Sequence, residues 1–130
     1  MIIVDTHLAY WAVADDEKLP QLARTLLSSG EKICFSVVSM WEIELKHRKN
    51  PEKMPISGKQ FYLACIEAGM NVISIRPRHI FALDNILSDE NYHNDPFDHL
   101  LLAVAKEEKG ILLTHDEKLK HYQSVDVIVC

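Results

Sequence analysis

The sequence predicts an α/β fold with a mostly parallel β-sheet. Short apolar runs that are typical of strands alternate along the chain with segments whose apolar residues recur at helical spacing. The length of 130 residues is usual for one domain, and no linker, repeat or low-complexity tract divides the chain, so a single domain over residues 1–130 is expected. The composition, 48% hydrophobic and 25% charged, is that of a soluble globular protein.

The predicted strands are short apolar runs rich in β-branched or aromatic residues and bounded by turn or cap residues. They lie at residues 2–4, 33–38, 71–75, 111–113 and 127–129. Because helical patterns separate them, consecutive strands are expected to be joined by helical crossovers, which make neighbouring strands parallel.

The predicted helices have apolar residues three and four positions apart. They follow residue 5 and cover residues 20–30, 39–50, 57–68, 77–87, 95–110 and 116–122, with a polar loop at 88–94. Pro20 and Pro96 are suited to a first helical turn, and Gly30, Gly69 and Gly110 are expected to terminate helices.

Five carboxylates fall where a predicted strand has just ended or a predicted helix is beginning. They are Asp5, Glu42, Asp95, Asp98 and Asp116. In a parallel α/β sheet these junctions meet at the edge formed by the carboxyl ends of the strands. Like charges held close together require raised pKa values or a bound cation. The pattern therefore predicts an acidic pocket for Mg²⁺ or Mn²⁺, which suits metal-assisted phosphodiester hydrolysis.

Helix capping is the alternative explanation for most of these acids, and the sequence leaves it open. Asp5 and Asp95 could be plain N-caps, and residues 39–42 and 114–117 fit capping boxes. Asp98 is harder to explain in this way, because it precedes Leu101 and Leu102 by three and four residues and so points along a buried stripe.

Other polar clusters give weaker indications. The formal net charge of -5 argues against a protein that coats itself in nucleic acid, yet the basic run at residues 46–49 could be either a solvated helix end or a phosphate-steering site. A second basic cluster combines Arg76, Arg78 and His79. Four histidines lie beside acidic positions without the spacing of a zinc-protease motif, which disfavours zinc: His7, His93, His99 and His115.

The remaining residues of note are expected to be structural. Trp11 and Trp41 are assigned to the core or to helix packing. Cys34, Cys65 and Cys130 have no metal-ligand spacing and are expected to be reduced thiols of a cytoplasmic protein. No apolar stretch has the length needed to cross a bilayer, so no membrane association is expected.

Four segments carry a family likeness: Val-Asp-Thr at 4–6, Ser-Val-Val-Ser-Met-Trp-Glu-Ile at 36–43, Asn-Asp-Pro-Phe-Asp-His-Leu-Leu-Leu-Ala at 94–103, and Leu-Leu-Thr-His-Asp at 112–116. Together, in this order and spacing, they resemble the PIN-domain family, and in particular VapC-type toxins of bacterial toxin–antitoxin pairs. The Asp-Pro-Phe-Asp segment with its downstream Thr-x-Asp is the most specific part, and the likeness extends over essentially the whole chain.

The resemblance implies a three-layer sandwich with a central, mostly parallel sheet flanked by helices, and a Mg²⁺- or Mn²⁺-dependent endoribonuclease that is the toxin of a type II pair. It assigns metal binding to Asp5, Glu42, Asp98 and Asp116, with Asp95 as a further acidic residue of the catalytic site. Thr6, Ser39 and Thr114 match hydroxyl residues that support the carboxylates, and His99 stands where many relatives have Arg. It also implies an RNA substrate, a homodimer, and a cognate antitoxin whose peptide arm reaches the acidic cleft.

Three other functions remain open at this point. A phosphatase could use Asp5 as a covalent nucleophile, although phosphatases of the haloacid dehalogenase type have a second Asp where this chain has His7. A structure-specific DNA nuclease would share the metal chemistry. A non-catalytic binding module would use the acids only as helix caps and would act through a protein partner.

Overall fold

Residues 1–88 and 94–130, which this computed structural model describes, form a parallel β-sheet with helices on both faces. The strands of the described part are β1 (Ile2–Val4), β2 (Ile33–Ser36), β3 (Asn71–Ile73), β4 (Ile111–Thr114) and β5 (Asp126–Val129). Their order is β3-β2-β1-β4-β5, and each neighbouring pair is parallel. The predicted α/β class is therefore confirmed. Residues 89–93 of the predicted loop, His93 among them, lie outside the described residues.

The helices that connect these strands are α1 (Thr6–Val13), α2 (Gln21–Leu27), α3 (Val37–Lys49), α4 (Gly58–Glu67), α5 (Pro77–Phe81), α6 (Leu83–Ser88) and α7 (Pro96–Glu107). A 3-10 helix, Glu117–His121, precedes β5. Within the described residues, no helix is both long and apolar enough to cross a membrane.

Alternation along the strands creates a separate core on each face of the sheet. Ile2 and Val4 of β1 pack into one core, whereas Ile3 between them packs into the other. The first core is completed by residues of α1, α2 and α4, and the second by residues of α6 and α7. Because both faces are covered, the central strand β1 is apolar and buried throughout, and the polar residues of the other strands lie at strand ends. The result is the predicted three-layer arrangement, helices on a sheet on helices.

The strand order reverses direction between β1 and β4. The chain proceeds outward from β1 through β2 to β3, and then returns to place β4 on the other side of β1. Such a switch point opens a crevice at the carboxyl ends of the two central strands. Val4 pairs with Leu113, and the Asp5 N–H donates to the Leu113 carbonyl at 2.9 Å, so the residues that follow β1 and β4 are adjacent in space.

The second strand ends earlier than predicted, and this moves the start of α3. The sequence predicts that residues 37 and 38 continue the strand, because valine is β-branched, but β2 ends at Ser36. The Ser36 Oγ accepts a hydrogen bond from the Val38 N–H at 3.1 Å and caps the helix. The predicted helix start and capping box at Ser39 are therefore wrong. A capping hydrogen bond and burial of Val38 outweigh the strand preference of valine.

Other boundaries also differ from the sequence-based prediction. The helix expected over residues 77–87 is two helices, α5 and α6, separated at Ala82, whose carbonyl accepts from the Asn85 N–H at 3.2 Å in the first turn of α6. The third strand ends at Ile73, two residues early. The helix expected at 116–122 is a shorter 3-10 helix capped by Asp116, so the predicted capping box at Thr114 is wrong.

The end of α7 shows why Gly110 is a glycine. The left-handed residue after this helix is Lys109, with φ of 56°, rather than Gly110 as predicted. A Cβ atom on Gly110 would lie 3.1 Å from Cδ1 of Ile3 and 3.3 Å from the Met1 carbonyl oxygen. This glycine therefore serves the close approach of the backbone to β1, and it does not provide the turn that ends the helix.

Candidate functional site

A cavity of about 430 Å³ lies at the carboxyl edge of the sheet, beside the switch point between β1 and β4. All five predicted acidic residues line it: Asp5, Glu42, Asp95, Asp98 and Asp116. The winding of the chain thus brings together carboxylates from positions more than a hundred residues apart in the sequence. The remaining described residues of its lining are Thr6, His7, Trp11, His115 and Glu117.

Asp5 is buried at the end of β1, and its carboxylate is held from three directions. Oδ1 accepts a hydrogen bond from the Leu8 N–H at 2.9 Å. Oδ2 accepts from the Thr114 hydroxyl at 2.5 Å and from the His115 N–H at 3.2 Å. Burial raises the pKa of Asp5, while these hydrogen bonds and the nearby His7 oppose that rise. With one donor on Oδ1, that oxygen keeps a lone pair for a further ligand.

Thr114 connects Asp5 to Asp116. Its buried Oγ1 donates to Asp5 and accepts from the Asp116 N–H at 3.1 Å, so one hydroxyl fixes the positions of both acidic residues. Asp116 Oδ1 in turn accepts from the Lys118 N–H at 2.9 Å and caps the 3-10 helix. The Thr-x-Asp spacing is therefore explained by a hydrogen bond that reaches across the sheet from β4 to the end of β1.

Glu42 projects from α3 and is buried, with an exposed fraction of 7%. Its Oε2 is paired with the Lys46 ammonium at 2.8 Å, four residues further along the helix. Ser39, one turn earlier, accepts a hydrogen bond from the Thr6 hydroxyl at 2.9 Å. This bond joins the start of α1, where Thr6 lines the cavity, to α3. Of the three hydroxyl residues singled out in the sequence, Thr114 is thus in contact with a carboxylate, and Thr6 bonds to Ser39.

The start of α7 supplies the other two acidic residues. Asp95 caps this helix, because its Oδ1 accepts from the Phe97 N–H at 2.9 Å, and Pro96 follows as the first helical residue, as predicted. Asp98 is half-buried in the first turn. His99 is not among the described residues that line the cavity, and its ring lies 6.3 Å from that of Tyr122.

Capping and cavity lining turn out to be compatible roles. Asp5, Asp95 and Asp116 each accept a hydrogen bond from a helix N–H, as the helix-capping explanation predicts. Each of them also lines the cavity. A cap uses only part of a carboxylate's capacity, since its two oxygens have about four acceptor sites. Glu42 and Asp98, by contrast, lie within helices rather than at their caps.

The aromatic rim of the cavity was not predicted. The rings of His7 and Trp11 are 5.8 Å apart, and those of Trp11 and His115 are 5.2 Å apart, so the three rings form a continuous strip. Trp11 packs partly against the core, as expected, but it also lines the cavity. Trp41 is not a core residue: it is 56% exposed, and its ring packs edge-on against Phe97 at 4.9 Å.

The donor set suits a hard divalent cation. Carboxylate oxygens are the protein ligands that Mg²⁺ and Mn²⁺ prefer. Lys46 already places one positive charge against Glu42. Among the described residues, no three Asp, Glu, His or Cys side chains are arranged in this conformation to share one ion. The carboxylate oxygens therefore match the ligand preference of such an ion. If Glu42 were a ligand, the Lys46 ammonium group would have to leave its carboxylate.

The chain is similar to known proteins in both sequence and fold. The chain matches the PIN domain over residues 2–125. It is 21% identical over 122 residues to the ribonuclease VapC22 of Mycobacterium tuberculosis, covering 94% of this chain and 92% of the relative. The fold superposes on VapBC2 from Rickettsia felis, bound to a promoter DNA fragment, with a TM-score of 0.73, 18% identity and coverage of 99% and 98% of the two chains. It also superposes on M. tuberculosis VapC20, a toxin that cleaves the sarcin-ricin loop, with a TM-score of 0.69, 16% identity and 98% coverage of both chains.

Proposed function

Since the chain belongs to the PIN-domain family, we propose that it is a metal-dependent endoribonuclease and the toxin of a type II toxin–antitoxin pair. The observation that carries the proposal is the gathering of five carboxylates around one cavity at the switch point of the sheet. The ribonuclease relative supports RNA as the substrate class. The structural neighbours that are toxin–antitoxin complexes support a cognate antitoxin as the partner.

The proposed metal ligands are Asp5, Glu42, Asp98 and Asp116, with Asp95 as an additional acidic residue of the catalytic site, and the ion is Mg²⁺ or Mn²⁺. When bound, such an ion supplies Lewis-acid chemistry, lowering the pKa of a water molecule and offsetting negative charge on a phosphoryl oxygen. The protein contributes rigid placement, because Thr114 and two backbone N–H groups fix the Asp5 carboxylate before any ligand arrives. Without a cation, the acids would repel the phosphodiester.

Cleavage of a labelled single-stranded RNA by the purified protein tests this proposal. We expect cleavage with Mn²⁺, none after chelation, and a loss of at least about 100-fold in the Asp98→Asn variant, because a neutral amide is a poorer ligand for a hard cation. Asp126→Asn is the matched control. Asp126 is exposed and is the first residue of β5, so it lies at the amino ends of the strands, away from the cavity at their carboxyl ends. Full activity of Asp98→Asn would contradict the site assignment.

Two comparisons separate the proposal from its rivals. DNA of the same sequence should be cleaved far more slowly than RNA, and the reverse result would indicate a DNA nuclease. Absence of cleavage of either polymer, with no stoichiometric Mn²⁺ binding in calorimetry, would instead indicate a binding module. In bacteria, expression of the toxin should arrest growth, and co-expression of the cognate antitoxin should restore it.

We also propose that the protein is a single domain and acts as a homodimer in the cytoplasm. Exposed apolar side chains on α3 support a protein contact there, because Trp41 and Leu45 are 56% and 43% exposed one turn apart. Light scattering after size-exclusion chromatography measures the oligomeric state directly. A monomer at micromolar concentration would remove the homodimer from the proposal and leave the nuclease assignment intact.

A further inference from the structure

A second cavity, of about 620 Å³, adjoins the acidic one and has the opposite charge. Its lining contains four lysines, and among the described lining residues the one carboxylate is Asp16. The lysines are Lys18, Lys46, Lys49 and Lys53. Four of the chain's 14 Lys and Arg residues are therefore gathered in one groove of a protein whose formal net charge is -5.

Most of this positive charge is uncompensated. Lys46 is paired with Glu42, at the boundary between the two cavities. Within residues 1–88 and 94–130, no carboxylate forms an ion pair with Lys18, Lys49 or Lys53, and these three side chains are exposed. The lysine ammonium groups are thus available to a polyanion.

The basic run at residues 46–49 divides into two pairs with different roles. His47 bonds through Nδ1 to the Met54 carbonyl at 2.8 Å, and Arg48 pairs with Glu44 at 2.5 Å. Lys46 and Lys49 instead line the groove and lie three residues apart, on the same side of α3 as Glu42. A simple solvated helix end would not direct one pair toward a groove that Lys18 and Lys53 also line.

The groove and the acidic cavity adjoin and share two wall residues. His7 and Trp11 line both of them, and Tyr10 lines the groove beside them. Stacking of bases on aromatic rings and pairing of phosphates with lysines are the two interactions that hold single-stranded nucleic acid. Both kinds of group occur here next to the carboxylates that line the acidic cavity.

We infer that this groove binds the phosphates of a single-stranded RNA segment adjacent to the bond being cleaved, with Lys18, Lys46, Lys49 and Lys53 as the phosphate-binding residues. The inference rests on the proposed nuclease function. The acidic cavity repels a polyanion, so local cations are needed to hold the strand on either side of the metal site. The overall negative charge does not oppose this, because exposed charges more than about 8 Å away are screened at physiological salt.

Equilibrium measurements of RNA binding distinguish specific binding in this groove from general electrostatic attraction to the protein surface. The experiment uses a short fluorescent single-stranded RNA, protein carrying Asp98→Asn so that the RNA survives, Mn²⁺, and fluorescence anisotropy across a salt series. Adding K49Q/K53Q should weaken binding about tenfold and reduce the slope of log Kd against log salt by about 1.4, because each lysine that neutralises a phosphate of a single strand accounts for about 0.7 of that slope. The matched control is K59Q/K120Q, which removes the same charge from exposed lysines outside the groove.

In protein that retains Asp98, K49Q/K53Q should lower kcat/KM for RNA cleavage by a similar factor and leave kcat unchanged, because the groove binds substrate away from the reacting atoms. Equal weakening by the groove and control variants would overturn the inference, as would unchanged RNA binding by K49Q/K53Q. Loss of antitoxin binding with RNA affinity intact would overturn it as well, and would assign the groove to an acidic peptide. If unsubstituted protein neither binds nor cleaves RNA, the proposed function itself fails, which is a separate result.

Discussion

The hydroxyl of Thr114 donates a hydrogen bond to Oδ2 of Asp5 at 2.5 Å, although 109 residues separate the two in the sequence. The same oxygen of Thr114 accepts from the Asp116 N–H. Two of the proposed metal ligands are therefore positioned by one buried side chain at the end of β4. This arrangement is possible because β4 pairs directly with β1 at the centre of the sheet.

Replacement of Thr114 by valine should weaken both folding and metal binding. The variant removes the Thr114 acceptor of the Asp116 N–H and one of the two donors to Asp5 Oδ2, which we expect to cost about 2 kcal/mol in the free energy of unfolding. Mn²⁺ affinity should fall because Asp5 is no longer held in place. Urea unfolding and calorimetric Mn²⁺ titration measure the two effects. Thr114→Ser keeps the hydroxyl and should restore most of both, and equal behaviour of the valine and serine variants would refute the assigned role.

In the metal-free protein, the Lys46 ammonium group should supply the positive charge beside Glu42 that the metal ion supplies when it binds. Without metal, Lys46→Met removes the one cation that the described residues pair with the buried Glu42 carboxylate, so the free energy of unfolding should fall by about 1 kcal/mol. Added Mn²⁺ should then stabilise the variant more than the unsubstituted protein, because the ion no longer has to displace an ammonium group. Thermal unfolding with and without Mn²⁺ gives both quantities.

Arg48→Met is the matched control for that experiment. Arg48 forms the corresponding (i, i+4) pair with Glu44 on the same helix, and neither residue lines the acidic cavity. The stabilisation by Mn²⁺ should be the same in this variant as in the unsubstituted protein. A larger Mn²⁺ effect in Arg48→Met would show that any loss of positive charge on α3 suffices, and the specific exchange at Glu42 would be disproved.

Alkaline pH should destabilise the protein through Cys65. Burial in the core raises the pKa of this thiol from 9.0 to about 12. Because the folded state disfavours the thiolate, the stabilising contribution is complete below the unfolded pKa and is lost as the pH rises toward the folded pKa. Between about pH 9 and about pH 10.5 the loss should be about 1.5 kcal/mol. Denaturant unfolding of Cys65→Ala should show a flatter pH profile over this range, and an identical slope would contradict the assignment.

A buried histidine should make the protein sensitive to truncation of Glu108. His79 Nδ1 accepts from the Arg76 N–H at 2.9 Å, so its proton is on Nε2, which donates to Glu108 Oε1 at 3.0 Å. Glu108→Ala removes the acceptor of this buried N–H and should cost about 2 kcal/mol in the free energy of unfolding. Glu108→Gln retains an acceptor oxygen and should cost less. RNA cleavage at permissive temperature should be unaffected, and a large activity loss in both variants would link this corner of the fold to the site.

Much of the acidic lining of the cavity could be predicted, because a parallel sheet brings the carboxylates at its strand and helix junctions to one edge, whatever the details of packing. Asp98 was the most informative, since a charge beside Leu101 and Leu102 needs compensation. The aromatic rim could not be predicted in the same way. His7 and His115 follow strands as ordinary loop or helix-start residues, and Trp11 has the spacing of a core residue, so neither pattern distinguishes a cavity wall from a packed interior.

The basic run at 46–49 shows the same limit. The sequence shows four consecutive basic residues and does not indicate which of them have partners. In the structure, His47 and Arg48 bond to neighbours within the fold, whereas Lys46 and Lys49 face a groove that Lys18 and Lys53 also line. The start of α3 differs from the predicted one for a similar reason, because whether Ser36 or Ser39 caps the helix depends on which backbone N–H groups each hydroxyl can reach.

By itself, the sequence determined the α/β class, the approximate positions of the strands, and the five acidic residues that line the cavity, because periodicity, β-branching and capping are local properties of a chain. Only the tertiary structure decided that β4 lies beside β1, that Thr114 therefore meets Asp5, and that acidic and basic surfaces adjoin at Glu42 and Lys46. These relationships depend on strand order and register. Strand order and register are set by the packing of two cores against opposite faces of one sheet, which no short segment of the chain can specify.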